Sequence, residues 1–516
     1  MFFASKQDKE LLGLRRILEE APCLSPQGRH LQQQMRFYHS GDREALEQEF
    51  AILEHLRQFT ANHPVAVRDA ENILRRFRPL KLTLAGLVEG RTLDATEFFE
   101  LKRYLSLERQ LAFERELWQA AELELQDLDP AWQLLNPPAS DQHGFHVYSS
   151  YAEDLEALRQ EKSHLEKAIL AASLEERALL LEERAQVAAK EAAAEKRVLA
   201  ELGQKMAAYL PILQANLEAL AMLDFRLARV KLGQRWSSPC PRFLPGGGGV
   251  KLEGAKEPWI ARKLAAQGHD FTPQDIRMEA GATVITGANM GGKSIALRSI
   301  LLQLLLVHLG YYPNCSYLEL EVFDFFAFTT DNSGDGSLGL SSFGMEAAQM
   351  RDQLRLIRHY KGFVVLDEPA RGTNPQEARA IVTGLCQIYT ETRSFLLLAT
   401  HYRITPGKGI RFYQICGLAT STSAEADPQA QRARLPGNSP AGQKPPDLNG
   451  SEESWAEQRQ KEDLAAAKWI RGKMDYRLRP DDGKSLVPAE ALRIAEWMGM
   501  DSGDIEVMRQ AYMEEK

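Results

Sequence analysis

A short strand-forming run, Thr283-Val284-Ile285-Thr286, leads directly into Gly287-Ala288-Asn289-Met290-Gly291-Gly292-Lys293-Ser294, and an apolar helical stretch follows. Few local patterns restrict a fold so tightly. Glycines at this spacing let successive backbone N–H groups curl around phosphate oxygens, and the helix behind them presents its positive end to the same anion. Lys293 has the reach for β- and γ-phosphates, and the Ser294 hydroxyl is a magnesium ligand. An ordinary glycine-rich turn is the bland alternative, but strand, loop and helix stand in the order that GxxxxGK[ST] demands. Gly287, Asn289, Gly291, Gly292, Lys293 and Ser294 are therefore the nucleotide-binding candidates.

Two further strands point to the same place. Phe363-Val364-Val365-Leu366 ends in Asp367-Glu368, 74 positions after Lys293. Buried strands rarely end in paired acids without a cation to hold, so Asp367 joins Ser294 as a magnesium candidate. Glu368 is placed to polarise an attacking water, because phosphoryl transfer needs positioning and charge stabilisation more than covalent help. The strand Phe395–Thr400 then delivers His401 to the same carboxyl edge, either as a γ-phosphate sensor or water-orienting group, or as a strand-end cap.

The rest of the 516 residues divides by pattern. Residues 1–150 carry apolar side chains at helical spacing, Leu46, Phe50, Leu53 and Leu56 among them, and read as an all-helical region. Residues 151–205 read as long arms: Glu153 to Leu202 contains neither Gly nor Pro, and some 50 residues of helix make a rod of roughly 75 Å or a hairpin of about half that. A returning helix and a boundary loop occupy 206–250, where Gly246 to Gly249 follow Pro245. Strands alternate with helices over 251–418, the mark of a parallel α/β sheet. Residues 419–455 are rich in Ser, Ala, Pro, Gly and Gln and read as a disordered linker, and 456–516 as a helical dimerisation tail.

Composition excludes several classes. A net charge of −8 gives no global pull toward nucleic acid or anionic membrane, so any such contact is local. Five cysteines without a CxxC pair argue against a disulfide framework or zinc knuckle and fit a reducing cytosol. The N-terminus turns charged before a signal core forms, and the longest oily run, Ile300 to Leu309, is too short to span a bilayer; a cytoplasmic chain is expected.

Taken together, Thr286 to Ser294, Leu366-Asp367-Glu368 with Arg371-Gly372-Thr373, and Ala399-Thr400-His401-Tyr402 resemble the ATPase domain of the MutS mismatch-repair family. Gly339-Leu-Ser-Ser-Phe-Gly-Met-Glu346 is similar to the family's signature segment, which implies that Ser341 and Ser342 reach a neighbouring protomer's nucleotide. Phe271, in Phe271-Thr-Pro-Gln-Asp-Ile276, takes the position that stacks on the base in the family. Ser25-Pro-Gln-Gly28 and Leu223-Asp224-Phe225 resemble parts of its lever, and the 153–202 rods its clamp arms.

The resemblance implies a P-loop NTPase of the ABC type behind an all-α lever and clamp, using ATP and Mg2+ and pairing as a homodimer or heterodimer through its ATPase domains. The chain departs from the family at Ala288, where proline is usual, and at Pro369-Ala370. It begins at the lever, so the mismatch-reading and connector domains and their wedge are expected to be missing; Phe98-Phe99-Glu100 reads as core and solvent face. DNA is one expected client, as non-standard duplex in repair or recombination. The other is a protein, because Gly339 to Gly344 and Arg371 to Pro375 also resemble the branch that reactivates cobalamin-dependent aminomutases. Glu153 to Glu201 holds twelve acids against eight bases, a balance of −4 that suits a phosphate grip poorly.

Overall fold

The computed structural model describes residues 2–4, 6–137, 144–287, 292–330, 342–418, 474–483, 492, 495, 500 and 502–514. The expected linker at 419–455 lies outside them. The chain forms two units: a sheet unit of Met1–Glu20, Arg36–Phe50 and Arg235–Lys516, and a helical unit of Ala21–Met35 and Ala51–Gln234.

In the sheet unit the strands in chain order are β1 (Phe2–Ala4), β2 (Arg242–Phe243), β3 (Val250–Ala255), β4 (Gln274–Met278), β5 (Gly281–Thr286), β6 (Tyr317–Leu320), β7 (Phe325–Thr329), β8 (Gly362–Asp367), β9 (Phe395–Ala399), β10 (Ile410–Leu418) and β11 (Met474–Asp481). Seven form the main sheet in the order β1-β7-β8-β9-β5-β10-β11, parallel throughout except for the antiparallel β10–β11 pair. Its central strands are continuous apolar runs because helices cover both faces of a parallel sheet. The Lys293–His308 helix after β5 is buried almost all round, so the sequence shows no polar face there. A smaller sheet has the order β2-β6-β3-β4.

Three boundaries differ from expectation. Residues 1–20 and 36–50 belong to the sheet unit, since β1 adds a parallel edge strand with Phe2 opposite Phe326. The Pro/Gly stretch lies inside the sheet unit, because β2 before it already pairs with β6. Glu321 anchors that stretch, accepting from the Gly247 and Gly249 amides at 3.1 and 3.0 Å and from Lys361 Nζ at 3.0 Å. Finally, the tail is not wholly helical: 474–481 is a strand, because Tyr476 and Leu478 alternate with Arg477 and Arg479 at period two and the β10 edge is open to pairing. Both arginines turn to Asp475, at 2.7 and 3.7 Å, so they make no free basic patch. A helix does occupy Ser502–Glu514.

In the helical unit, Asp224 ties two distant segments together: it accepts from Leu24 N at 3.0 Å and from both Ser25 N and Ser25 Oγ at 2.6 Å. Ser25 Oγ in turn caps the Pro26–Gln33 helix by accepting from Gly28 N. Residue 28 must be glycine, because a Cβ there would collide with the Asp224 carboxylate. Phe98 is fully buried in the Ala95–Ala112 helix, which agrees with a core role rather than a wedge.

The arms form a hairpin, Glu153–Ala171 and Leu174–Ala207, turning at Ser173, whose backbone N–H bonds the Glu176 carboxylate. Their mixed charges answer one another across the hairpin. Arg159 reaches Glu191 and Glu195 at 3.2 and 2.7 Å, Lys162 reaches Glu191 at 2.6 Å, Arg184 reaches Glu166 at 2.7 Å and Arg197 reaches Asp154 at 2.5 Å. Four of the eight bases between Glu153 and Glu201 are thus spent inside the hairpin. Among the described residues no single helix is long and apolar enough to cross a membrane.

Candidate functional site

The site is built by strand register. β5, β9 and β8 are neighbours, Ile285 lies opposite Ala399, and Ala399 lies opposite Asp367, so the three strands end level. Backbone bonds fix the edge: Thr400 N donates to Ile285 O at 3.1 Å and Glu368 N to Ala399 O at 3.0 Å. Ligands gather at such carboxyl edges because the strand ends and helix N-termini open there together.

Gly287 and Gly292 bracket the loop, with φ of +137° and +84°; Gly292 caps the Lys293–His308 helix in a left-handed conformation that other residues adopt only with strain. Asn289 and Gly291 lie outside the described residues. The Lys293 side chain is 3% exposed; its Nζ donates to Gly287 O at 2.7 Å and sits 3.6 Å from Glu368. Burial lowers its pKa, and the charges of Glu368 and Asp367 oppose that.

Asp367 shows the reverse balance. Burial raises its pKa, the Ser294 hydroxyl pulls it back, and neighbouring Glu368 raises it further. Its Oδ1 is buried without a hydrogen-bond partner among the described residues. One hydroxyl and one carboxylate with an unanswered oxygen, beside a phosphate loop, are hard donors of the kind magnesium takes, and it keeps waters for its other positions. The residues present fit the ion.

Glu368 is 13% exposed and stands between Lys293 and Arg371, the latter at 3.4 Å. Its φ of +50°, and that of +62° at Ala370, are left-handed values that cost of order 1 kcal/mol or more each in a non-glycine residue. The turn is held by Glu346, which accepts from Ala370 N at 2.7 Å. His401 follows β9. Partial desolvation lowers its pKa, Glu368 raises it, and Lys293 and Arg371 push it down again, which puts it within electrostatic reach of all three.

The remaining candidates fall differently. Ser341 lies outside the described residues; Ser342 opens the Ser342–Leu356 helix, and its side chain is not described. Phe271 is half-buried in the segment before β4. Two residues escaped the sequence reading: Glu346, and Tyr476 on β11, whose ring lies against Gly292 and whose carbonyl accepts from Gln274 Nε2 at 3.1 Å. The alternation around Tyr476 was the available signal.

Residues 283–410 match the family described as MutS domain V. Among curated proteins, the chain is 32% identical over 183 residues to the DNA mismatch repair protein MutS of Thermus thermophilus, covering 36% of this chain and 22% of that protein. It is 29% identical over 208 residues to that of Thermus aquaticus, covering 40% and 24%. It is 28% identical over 207 residues to the Endonuclease MutS2 of Ruminiclostridium cellulolyticum, covering 40% and 25%. The matched stretches thus span about a quarter or less of these relatives' length.

Proposed function

From the premise that the chain carries a MutS-family domain V over residues 283–410, we propose that it binds and hydrolyses ATP as a dimeric switch. The observation that carries this reading is the convergence of Lys293, Ser294, Asp367 and Glu368 at the level carboxyl ends of β5 and β8.

Each residue has a task. Lys293, held beside Gly287 O and Glu368, exchanges those partners for β- and γ-phosphate oxygens, with the Gly287 and Gly292 turns shaping the cradle. Ser294 and Asp367 would hold magnesium, which when bound would supply charge neutralisation at the transferred phosphoryl group. Glu368 orients the attacking water and takes its proton, and His401 senses the γ-phosphate from the end of β9. Phe271 and Tyr476 offer aromatic surface for the base. Ser341 and Ser342 of one copy complete the nucleotide site of the other, so nucleotide state sets dimer state.

Two clients are compatible with this engine. The likeness to a DNA mismatch repair protein and an endonuclease favours DNA, as non-standard duplex. The hairpin favours a protein client such as a cobalamin-dependent aminomutase, since its bases are drawn into cross-helix ion pairs that leave fewer for phosphates. Sedimentation of the full chain with and without Mg-ATP, followed by duplex binding across a salt titration, tests both parts. Dimerisation on nucleotide is expected; a chain that stays monomeric when loaded with Mg-ATP contradicts the switch. DNA affinity that falls steeply with salt identifies a phosphate grip, and absent duplex binding contradicts the DNA client.

A further inference from the structure

The helices Ser342–Leu356 and Pro375–Thr390 leave between them a mainly apolar groove of about 540 Å³ that the phosphate site does not use. Phe343, Met350 and Leu354 line one side, and Ile381, Leu385 and Ile388 the other; Ile388 remains 44% exposed. Arg351, Arg355 and Arg358 also line it, repeating at i, i+4 and i+7. Asp352 is shared by the first two, at 2.9 and 3.9 Å, and among the described residues no acid lines the groove itself.

Past Arg358 and Ile388 the groove meets a cavity of about 1080 Å³ whose walls add His359, Lys361 and Arg393. There Lys361 is answered by Glu321, and Asp324 and Glu391 are further acids that balance Arg358 and Arg393. The excess of positive charge is thus confined to the groove itself, where Arg351, Arg355 and Arg358 reverse the sign of a chain whose net charge is −8. Gly384 keeps the groove open: it lies within a helix, where glycine costs about 1 kcal/mol relative to alanine, and a Cβ at that position would meet nothing within 4 Å. The fold itself gives no reason for a glycine there.

An apolar trough between two helices has the shape that receives a third, and a cationic border selects the charge of its flank. Most of the groove wall is apolar, which suits the apolar stripe of a helix better than a phosphodiester backbone, and the three arginines then answer carboxylates on that helix's flank. We propose that this groove docks an amphipathic helix of a partner protein, with its apolar stripe between the two helices and an acidic flank along Arg351, Arg355 and Arg358. The inference stands whether or not the chain hydrolyses ATP.

The test is fluorescence anisotropy on the full chain with a fluorescein-labelled synthetic helix of about 16 residues, leucine at three- and four-residue spacing and glutamate on one flank. The comparison probe has lysine in place of every glutamate. Saturable binding of the acidic probe, at least tenfold tighter than the lysine probe, is expected. Gly384→Trp, which fills the groove, and the triple variant R351E/R355E/R358E each weaken it at least tenfold, with thermal melting close to that of the parent. No saturable binding, equal affinity for both probes, or undiminished binding by Gly384→Trp overturns the proposal. So does tighter binding of a peptide of residues 500–514, which would assign the groove to a second copy of this chain.

Discussion

Asp367 in the sheet unit, half-buried, and Glu108 in the helical unit, buried, each have one buried oxygen that no described group satisfies, and desolvation pushes both pKa values up, Glu108 to about 7. Their surroundings separate them. Asp367 ends a strand at an edge shared with Lys293, Ser294 and Glu368, where an arriving cation has other oxygens and a phosphate cradle to complete its shell. Glu108 lies inside the Ala95–Ala112 helix, with Asn216 Nδ2 donating at 2.7 Å and the buried Tyr104 ring nearby. Under the proposed function, the orphaned oxygen beside other potential ligands is there for an arriving ion. The same oxygen sealed among side chains makes the stability of its domain depend on pH.

Exchanging each acid for its amide breaks or sharpens that contrast. Asp367→Asn removes a charge that serves only ligand binding, so Mg-ATP turnover falls at least a hundredfold while the melting temperature holds or rises; steady-state hydrolysis and calorimetry read the two together.

Glu108→Gln does the opposite. A carboxyl whose folded pKa is raised from 4.5 to about 7 contributes stability below pH 4.5 that is lost as pH climbs toward 7. The Gln variant is therefore more stable than the parent at pH 8 by roughly 3 kcal/mol and similar near pH 5, with turnover unchanged. Urea titrations at the two pH values measure it.

A smaller effect is expected from Glu346→Ala. Losing the acceptor for Ala370 N frees the left-handed turn that carries Glu368, so kcat drops about tenfold with KM for ATP unchanged, whereas Glu346→Gln keeps the accepting oxygen and most of the rate.

How much of this was legible follows from how local each signal is. The phosphate loop, β8 with its acids and β9 with His401 are contiguous runs whose spacing alone assigns strand and loop, and register then brings them level. Hairpin against single rod could not be chosen from helix propensity; the cross-helix pairs of Arg159, Lys162, Arg184 and Arg197 decide it, and such pairs are long-range. β1 is three residues long and has no periodic signature of its own, and the short alternation of Tyr476 and Leu478 with Arg477 and Arg479 in β11 becomes a strand only because β10 offers an edge. Glu108 and Glu346 sit in helices where nothing local distinguishes them from solvent-facing acids; only packing against Asn216 and Ala370 N gives them a part.

The central claim is that the edge formed by β5, β9 and β8 splits ATP through Glu368. Parallel assays of Mg-ATP hydrolysis and equilibrium nucleotide binding on the parent and Glu368→Gln address it most directly. Comparable affinity in both, with turnover in the variant reduced at least a hundredfold, is the predicted result. Hydrolysis at the parental rate by Glu368→Gln, or none by the parent, contradicts the account.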